Sequence, residues 1–158
     1  MATRVDDFVA LEAEFRRRVE RTVWATMATV DFRGRPRARL VHPLWEGRTG
    51  WLLTGRQSLK ARHLDRVPYA SLTWWDQTNE QVHAECATIW EDRADERRRV
   101  WALFRDTPPP LGYDPALFFA GGPDDPACGV LRLEPWRVEL WSLADLASGT
   151  PPRVWMPA

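Results

Sequence analysis

The chain has 158 residues, enough for one compact unit with a real interior, and carries 22 Lys plus Arg against 22 Asp plus Glu. That balance excludes a global electrostatic footprint for nucleic acid or an anionic membrane, so any cationic site must be local. Cys86 and Cys128 lie far apart, with no CxxC and no paired histidines beside them, which argues against a zinc site and a disulfide framework.

The N-terminus, MATRVDDFVALEAEF, places acids where a signal peptide needs a long apolar core. No run approaches the ~20 apolar residues of a membrane span. A soluble cytoplasmic protein is expected, its two thiols reduced and buried. In DDFVALEAEFRRRVER the apolar residues Phe8, Leu11, Phe15 and Val19 follow the helical repeat, with Asp6 or Asp7 as the cap. The RRRVER run is then the solvated side and end of that helix.

Next come VWATMATV, a DFRGRP turn carrying Gly34 and Pro36, RARLVHPLW and GWLLT. They predict an antiparallel meander over Val23 to Val30, Pro36 to Leu44 and Gly50 to Thr54. QSLKARHLDRVP reads as a short helix stopped before Pro68. YASLTWWD and EQVHAECATIWED supply two strands joined through Asp76 to Asn79, and the pattern from Asp92 to Phe104 is again helical. A Pro, Gly and Asp rich stretch, DTPPPLGYDPALFFAGGPDDPAC, suits a binding loop or a dimer arm. GVLRLEP and WRVELW read as a final hairpin before a proline-rich tail. The expected fold is mainly β with peripheral helices, a small antiparallel barrel of six to seven strands, closed or split. It forms one unit over 1–158, with the N-terminal helix at 1–21, the barrel at 22–142 and the tail at 143–158.

No GxSxG elbow, HExxH, Walker loop or GxGxxG is present. His42, His63 and His83 are too widely spaced for a local metal motif. Asp92 with Asp95, and Asp124 with Asp125, are explained by capping and solvation. Ten tryptophans and a single lysine, Lys60, are the compositional oddities. Trp45, Trp74, Trp75 and Trp90 fall in or beside strands, where packing is their ordinary use.

Polar features converge in one place. Arg37 and Arg39 face one side of a strand, Thr54 ends the next, and Ser58 and Lys60 open the following helix. Guanidinium forks, hydroxyls, free helix N–H groups and an ammonium suit a phosphate monoester. On these residues alone the stretch reads equally as an anion site or an ordinary polar connection.

The order RPRARLV, WLLTGRQSLKARHL, VPYASLTWWD and QVHAECATI resembles the flavin-binding split-barrel family of pyridoxamine 5'-phosphate oxidase, in its general-stress-protein-like and actinobacterial branches. The resemblance implies a homodimer of FMN-binding split barrels with the cofactor at the subunit interface. Arg39 and Val41 match the family's R-x-V segment, and Arg37 is the same-face neighbour of Arg39. Thr54 matches the threonine of its Y/L-T element, and Ser58 and Lys60 the outer members of S-R-K. Gln81 matches the glutamine of Q-V-R-V-E-G, and Trp141 the tryptophan of E-F-W, acting across the dimer.

Leu59 replaces the central arginine of S-R-K, leaving Arg56 or Arg62 to compensate. Cys86 replaces the glycine of the V-E-G strand, and Val67 the asparagine of an N-P ending. The oxidase's C-terminal R-L-H-D-R motif is not recognisable in SGTPPRVWMPA, so true pyridoxine-phosphate oxidation is not expected. The implied activity is flavin-mediated hydride or electron transfer with a reducing nicotinamide cofactor or a small organic molecule, without a catalytic side chain. Two alternatives on the same fold are a deazaflavin F420-dependent reductase and a non-catalytic flavin or haem carrier or sensor, with His42, His63 or His83 as a haem ligand. Tyr113 and Phe118 are expected to cover the groove from the partner subunit.

Overall fold

The apolar spacing near the N-terminus folds as expected, with a short strand before it. In the computed structural model, which describes residues 2–157, β1 (Thr3–Val5) precedes α1 (Val9–Thr22). Met1 and Ala158 of the expected 1–158 unit lie outside the described residues. Asp7 accepts from the Val9 N–H at 3.1 Å, and Leu11, Phe15 and Val19 are buried. One part of the basic run is not solvated. Arg18 is buried, donating to the carbonyls of Gln81 (2.9 Å) and Trp141 (2.7 Å) and pairing with Glu14.

β2 (Ala25–Val30) and β3 (Pro36–Val41) pair antiparallel around Gly34, whose φ of +77° suits a residue without Cβ. The second predicted strand, Pro36 to Leu44, is divided. Pro43 has no N–H to give a ladder, so β3 stops at Val41 and β4 (Leu44–Glu46) starts beyond it. β4 pairs with β5 (Thr49–Gly55), which leads into α2 (Leu59–Arg66), capped by Ser58 Oγ accepting from Ala61 N at 3.3 Å. β6 (Tyr69–Trp75) and β7 (Glu80–Trp90) form the predicted hairpin. Its turn is held by Asp76 Oδ1, which accepts from Thr78 N (2.8 Å) and Glu80 N (3.1 Å).

α3 (Ala94–Asp106) is followed by an irregular arm with two 3-10 turns, Pro115–Leu117 and Gly122–Asp124. The expected last hairpin is instead one 15-residue strand, β8 (Cys128–Ser142). The one turn signal in the middle of GVLRLEPWRVELW is Pro135, and it interrupts the ladder without reversing the chain. Glu85 pairs with Arg137 and Cys86 with Pro135, so Trp136 is the extra residue of a bulge. The tail also has structure: α4 (Leu143–Ser148) and β9 (Arg153–Trp155).

The result is mainly β with peripheral helices, and the strand count differs from expectation. Nine described strands form one sheet in the order β1-β9-β8-β7-β6-β2-β3, with β5 pairing both β8 and β4. The additional strands β1, β4 and β9 are three residues long, too short to show a period of two. The sheet is mixed, because β1 and β9 run parallel. Long β8 takes β5 along its first half and β9 along its second. Between β3 and β5 no ladder forms among the described residues, and the chain itself joins them through His42, Pro43 and β4.

The main core packs α1 against the inner face of the sheet, with Phe15, Met27, Leu72, Trp74 and Leu140 among its members. A second cluster sets Val100, Trp101 and Phe104 of α3 against Trp51, Leu53 and Val130. Both cysteines are free and buried; burial raises both thiols, Cys128 to about 11. Among the tryptophans, Trp74 is buried while Trp75 is 62% exposed on the outer face. No helix among the described residues is long and apolar enough to cross a membrane.

Candidate functional site

A cavity of about 500 Å³ opens where β3 and β5 are joined only by the chain. Its floor is Val41 of β3 with Leu52, Leu53 and Thr54 of β5. β5 is buried over most of its length because β8 covers one edge and α3 one face, which brings Thr54 into the interior at 6% exposure.

The polar end of the cavity is set by the start of α2. Ser58 caps the helix, so the second helical residue, Lys60, reaches the cavity wall from a fixed turn. Lys60 is half-buried, and its pKa is lowered by desolvation and then by the positive charge of Arg39. Arg39 is held by Thr29 Oγ1 at 2.7 Å and the Met27 carbonyl at 3.2 Å, and Thr29 is in turn bonded to His63 Nδ1 at 2.9 Å. Burial and neighbouring Arg37 lower the Arg39 pKa. Among the described residues neither Arg39, Arg37 nor Lys60 has a carboxylate within ion-pair distance, although 18 other ion pairs form. One partly desolvated cation, Lys60, thus lines an otherwise apolar hollow, with a second, Arg39, near enough to act on its charge, an arrangement that favours an anion there.

The other wall is aromatic. Val23 ends α1 at φ +64°, ψ −67°, a γ-turn in which Trp24 N donates to the Thr22 carbonyl at 2.8 Å. A β-branched residue in that region costs on the order of 1–3 kcal/mol, offset here by burial of Val23 and by Val23 N bonding Val19 O at 2.7 Å. The turn aims Trp24 at the cavity, 5.0 Å from the His42 ring. Tyr113 lies 4.9 Å beyond His42, and Phe118 5.7 Å beyond Tyr113. His42 Nε2 donates to the Leu111 carbonyl at 2.8 Å, and burial lowers its pKa. The arm is pinned by Gly112, where a Cβ would meet Thr107 O at 2.0 Å and Phe104 O at 2.5 Å.

Of the expected site residues, Val41, Thr54 and Lys60 line this cavity, and Arg39 acts on it through its charge. Ser58 serves as the helix cap beside it. Arg37 is exposed on the same strand face as Arg39. Gln81 and Trp141 pair across β7 and β8 on the outer face of the sheet, away from Arg39. Their side chains meet His83: Trp141 Nε1 lies 3.1 Å and Gln81 Oε1 3.2 Å from its Nε2. Leu59 faces a separate small hollow with Phe32 and Arg62. Arg56 is tied to Asp65 at 3.0 Å and lies 4.2 Å over the Trp90 ring, so it does not replace the missing arginine.

Tyr113 and Phe118 line the cavity of their own chain, contrary to the expectation that they come from a partner. Trp24 and His42 were not among the expected cavity residues. The only sequence signal for Trp24 is its place between the helix and the first long strand, and for His42 its place before Pro43.

The structure is similar to a general stress protein 26-related protein of the pyridoxinephosphate oxidase family from Clostridium acetobutylicum: TM-score 0.72, 14% identity, covering 95% of this chain and 96% of that one. It is also similar to a pyridoxamine 5'-phosphate oxidase-related, FMN binding protein from Nostoc punctiforme, with TM-score 0.64, 19% identity and coverage of 90% and 87%. A heme binding protein from Mycobacterium smegmatis matches with TM-score 0.66 and 21% identity over 82% of this chain and 53% of that one. No curated protein matches the chain by sequence. The family model described as pyridoxamine 5'-phosphate oxidase matches residues 11–142, which include β2 to β8 and every residue named around the cavity. The resemblance carried by RPRARLV, LLTGRQSLK and QVHAEC therefore holds over most of the chain, which belongs to the pyridoxamine 5'-phosphate oxidase family.

Proposed function

We propose that the chain binds FMN at this cavity as a homodimer and serves as a flavin-dependent oxidoreductase acting on a small molecule other than pyridoxine phosphate. The observation that carries the reading is the cation pair Arg39 and Lys60, unpaired by any described carboxylate, at the end of an apolar hollow of about 500 Å³. In this reading Arg39, Lys60, Thr54 and Ser58 hold the phosphate, with Arg37 adding charge from solvent. Val41, Leu52 and the aromatic wall suit a planar ring and exclude water from it. Bound flavin supplies the hydride or electron transfer; the side chains bind, orient and exclude.

Gln81 and Trp141 enter this reading from a second copy. They are separated from Arg39 by the thickness of the sheet in one chain, and the outer face that carries them also exposes Leu40 at 67% and Trp75 at 62%. Apolar side chains on that scale suit contact with a like surface. The tail argues against the oxidase's own substrate. Arg153, the basic residue of that segment, is engaged with Glu14, and its strand is paired with β1 and β8.

Purification followed by identification of the released chromophore tests the reading. FMN supports it, whereas F420 would assign the cavity to a deazaflavin. A haem-carrier reading has one observation in its favour: His42 is the histidine that lines the cavity, while His63 is bonded to Thr29 and His83 lies on the outer face. A Soret band lost in His42→Ala would support that reading over the flavin.

A further inference from the structure

Two side chains on the outer face of the sheet make opposite demands on one nitrogen of His83. Trp141 Nε1 stands 3.1 Å from His83 Nε2, and an indole N–H only donates, so this contact needs an unprotonated Nε2. Gln81 Oε1 stands 3.2 Å from the same Nε2, and a carbonyl oxygen only accepts, so this contact needs a proton there. His83 Nδ1, 3.2 Å from Thr73 Oγ1, is satisfied as a donor in either state, because a hydroxyl can accept.

The backbones of the two competitors are fixed. Arg18 grips the carbonyls of both Gln81 and Trp141 from the inner side of the sheet, at 2.9 and 2.7 Å. Only the side chains are left to answer a change at His83. The His83 and Trp141 rings are nearly parallel, 11° apart with centroids at 6.5 Å.

We propose that His83 is a proton-controlled positioning residue: neutral, it holds the Trp141 indole through Nε2; protonated, it releases that indole and holds the Gln81 carbonyl. The charged groups around the ring are Glu139 and Arg137 on β8 and Glu85 on β7, while β6 presents uncharged Thr73. Glu139 and Glu85 favour the imidazolium and Arg137 opposes it, but burial is the largest influence and favours the neutral ring. The switch therefore turns below the ordinary histidine value of 6.5.

Its consequence for binding rests on the proposed function, in which Gln81 and Trp141 are the residues that a second copy brings to the flavin. The proton-dependent choice of partner does not depend on that reading.

The test uses proton–nitrogen correlation spectra of the full chain without added flavin, titrated across the range in which histidines change charge, from about pH 8 to about pH 5. The Trp141 indole peak, assigned by its loss in Trp141→Phe, is expected to move along a single sigmoid, with the same midpoint as the His83 ring carbon-bound proton. In His83→Gln, which offers donors and acceptors but does not titrate, the Trp141 peak is expected to stay in place. A Trp141 peak indifferent to pH in the unmutated protein, a midpoint unlike that of His83, or a sigmoid that survives His83→Gln would each overturn the proposal. FMN titrations at the two ends of the range separate the two claims. Absence of FMN binding at both ends would count against the flavin reading, while the indole titration alone decides the switch.

Discussion

The Arg39 guanidinium bears on the Lys60 ammonium at one end of the cavity, and no described carboxylate lies between them. Folding therefore places two partly desolvated like charges together, an arrangement that an anion relieves. Because the Lys60 pKa is lowered on folding, the ammonium opposes folding at neutral pH, and that cost begins to fall as pH rises through the lowered value and is gone only above the ordinary value of 10.5. Lys60→Met is expected to leave the ligand-free protein as stable or more stable, by up to about 1 kcal/mol. Inorganic phosphate should raise the Tm of the unmutated protein and not that of the variant. Calorimetric scans with and without phosphate check both expectations.

Arg18 links α1 to the two longest strands through the carbonyls of Gln81 and Trp141. Its removal leaves these carbonyls without their partner and strips Glu14 of a cation. Arg18→Ala is predicted to destabilise the fold by about 3–5 kcal/mol, the range for breaking a buried pair. Urea unfolding reads it directly.

Gly112 has backbone oxygens where a Cβ would lie, at 2.0 and 2.5 Å, and neither oxygen can move without disturbing the end of α3. Gly112→Ala should cost about 1–3 kcal/mol of stability and lift the arm, with Tyr113, away from His42. Loss of stability together with weakened FMN binding is the expected pair of results, read by thermal melts and flavin titration.

Glu80 accepts from Arg17 at 3.0 and 2.8 Å and pairs with Arg21 and Arg18, which hold its carboxyl down to about 2 from an ordinary 4.5. A depressed carboxylate contributes stability that is complete above the unfolded value and is lost as pH falls through the folded one. The loss should thus span about pH 4.5 to about pH 2. Glu80→Gln is predicted to lower stability at neutral pH by about 1 kcal/mol and to flatten the acid limb of the stability curve, measured by urea unfolding at several pH values.

Much of this was legible in the residues. Phe8, Leu11, Phe15 and Val19 announced α1, Asp76 to Asn79 the hairpin turn, and Ser58 the start of α2, because each is a local pattern with a local cause. Thr54 and Lys60 fall together because they flank the short β5–α2 connection, and Val41 joins them from the end of β3. What remained hidden is long-range or conformational. Burial of Arg18 depends on strands more than sixty residues away, and β8 reads as a hairpin because Pro135 resembles a turn signal until its bulge is seen. The γ-turn that aims Trp24 lies in Val23, a residue whose type gives no hint of a positive φ. Arg56 looked free as a charge in sequence but is taken up by Asp65 and Trp90.

The most direct test of the central claim compares the affinities of FMN and riboflavin, which differ only by the phosphate, in the unmutated protein and in Lys60→Ala and Arg39→Ala. If each cation makes a charge-assisted hydrogen bond, each substitution costs about 1.5–3 kcal/mol of FMN binding, roughly ten-fold to more than a hundred-fold. FMN should bind much more tightly than riboflavin before substitution, and the advantage should shrink in both variants while riboflavin affinity is unchanged. Equal affinities for the two flavins, or an FMN affinity untouched by both substitutions, would contradict the site.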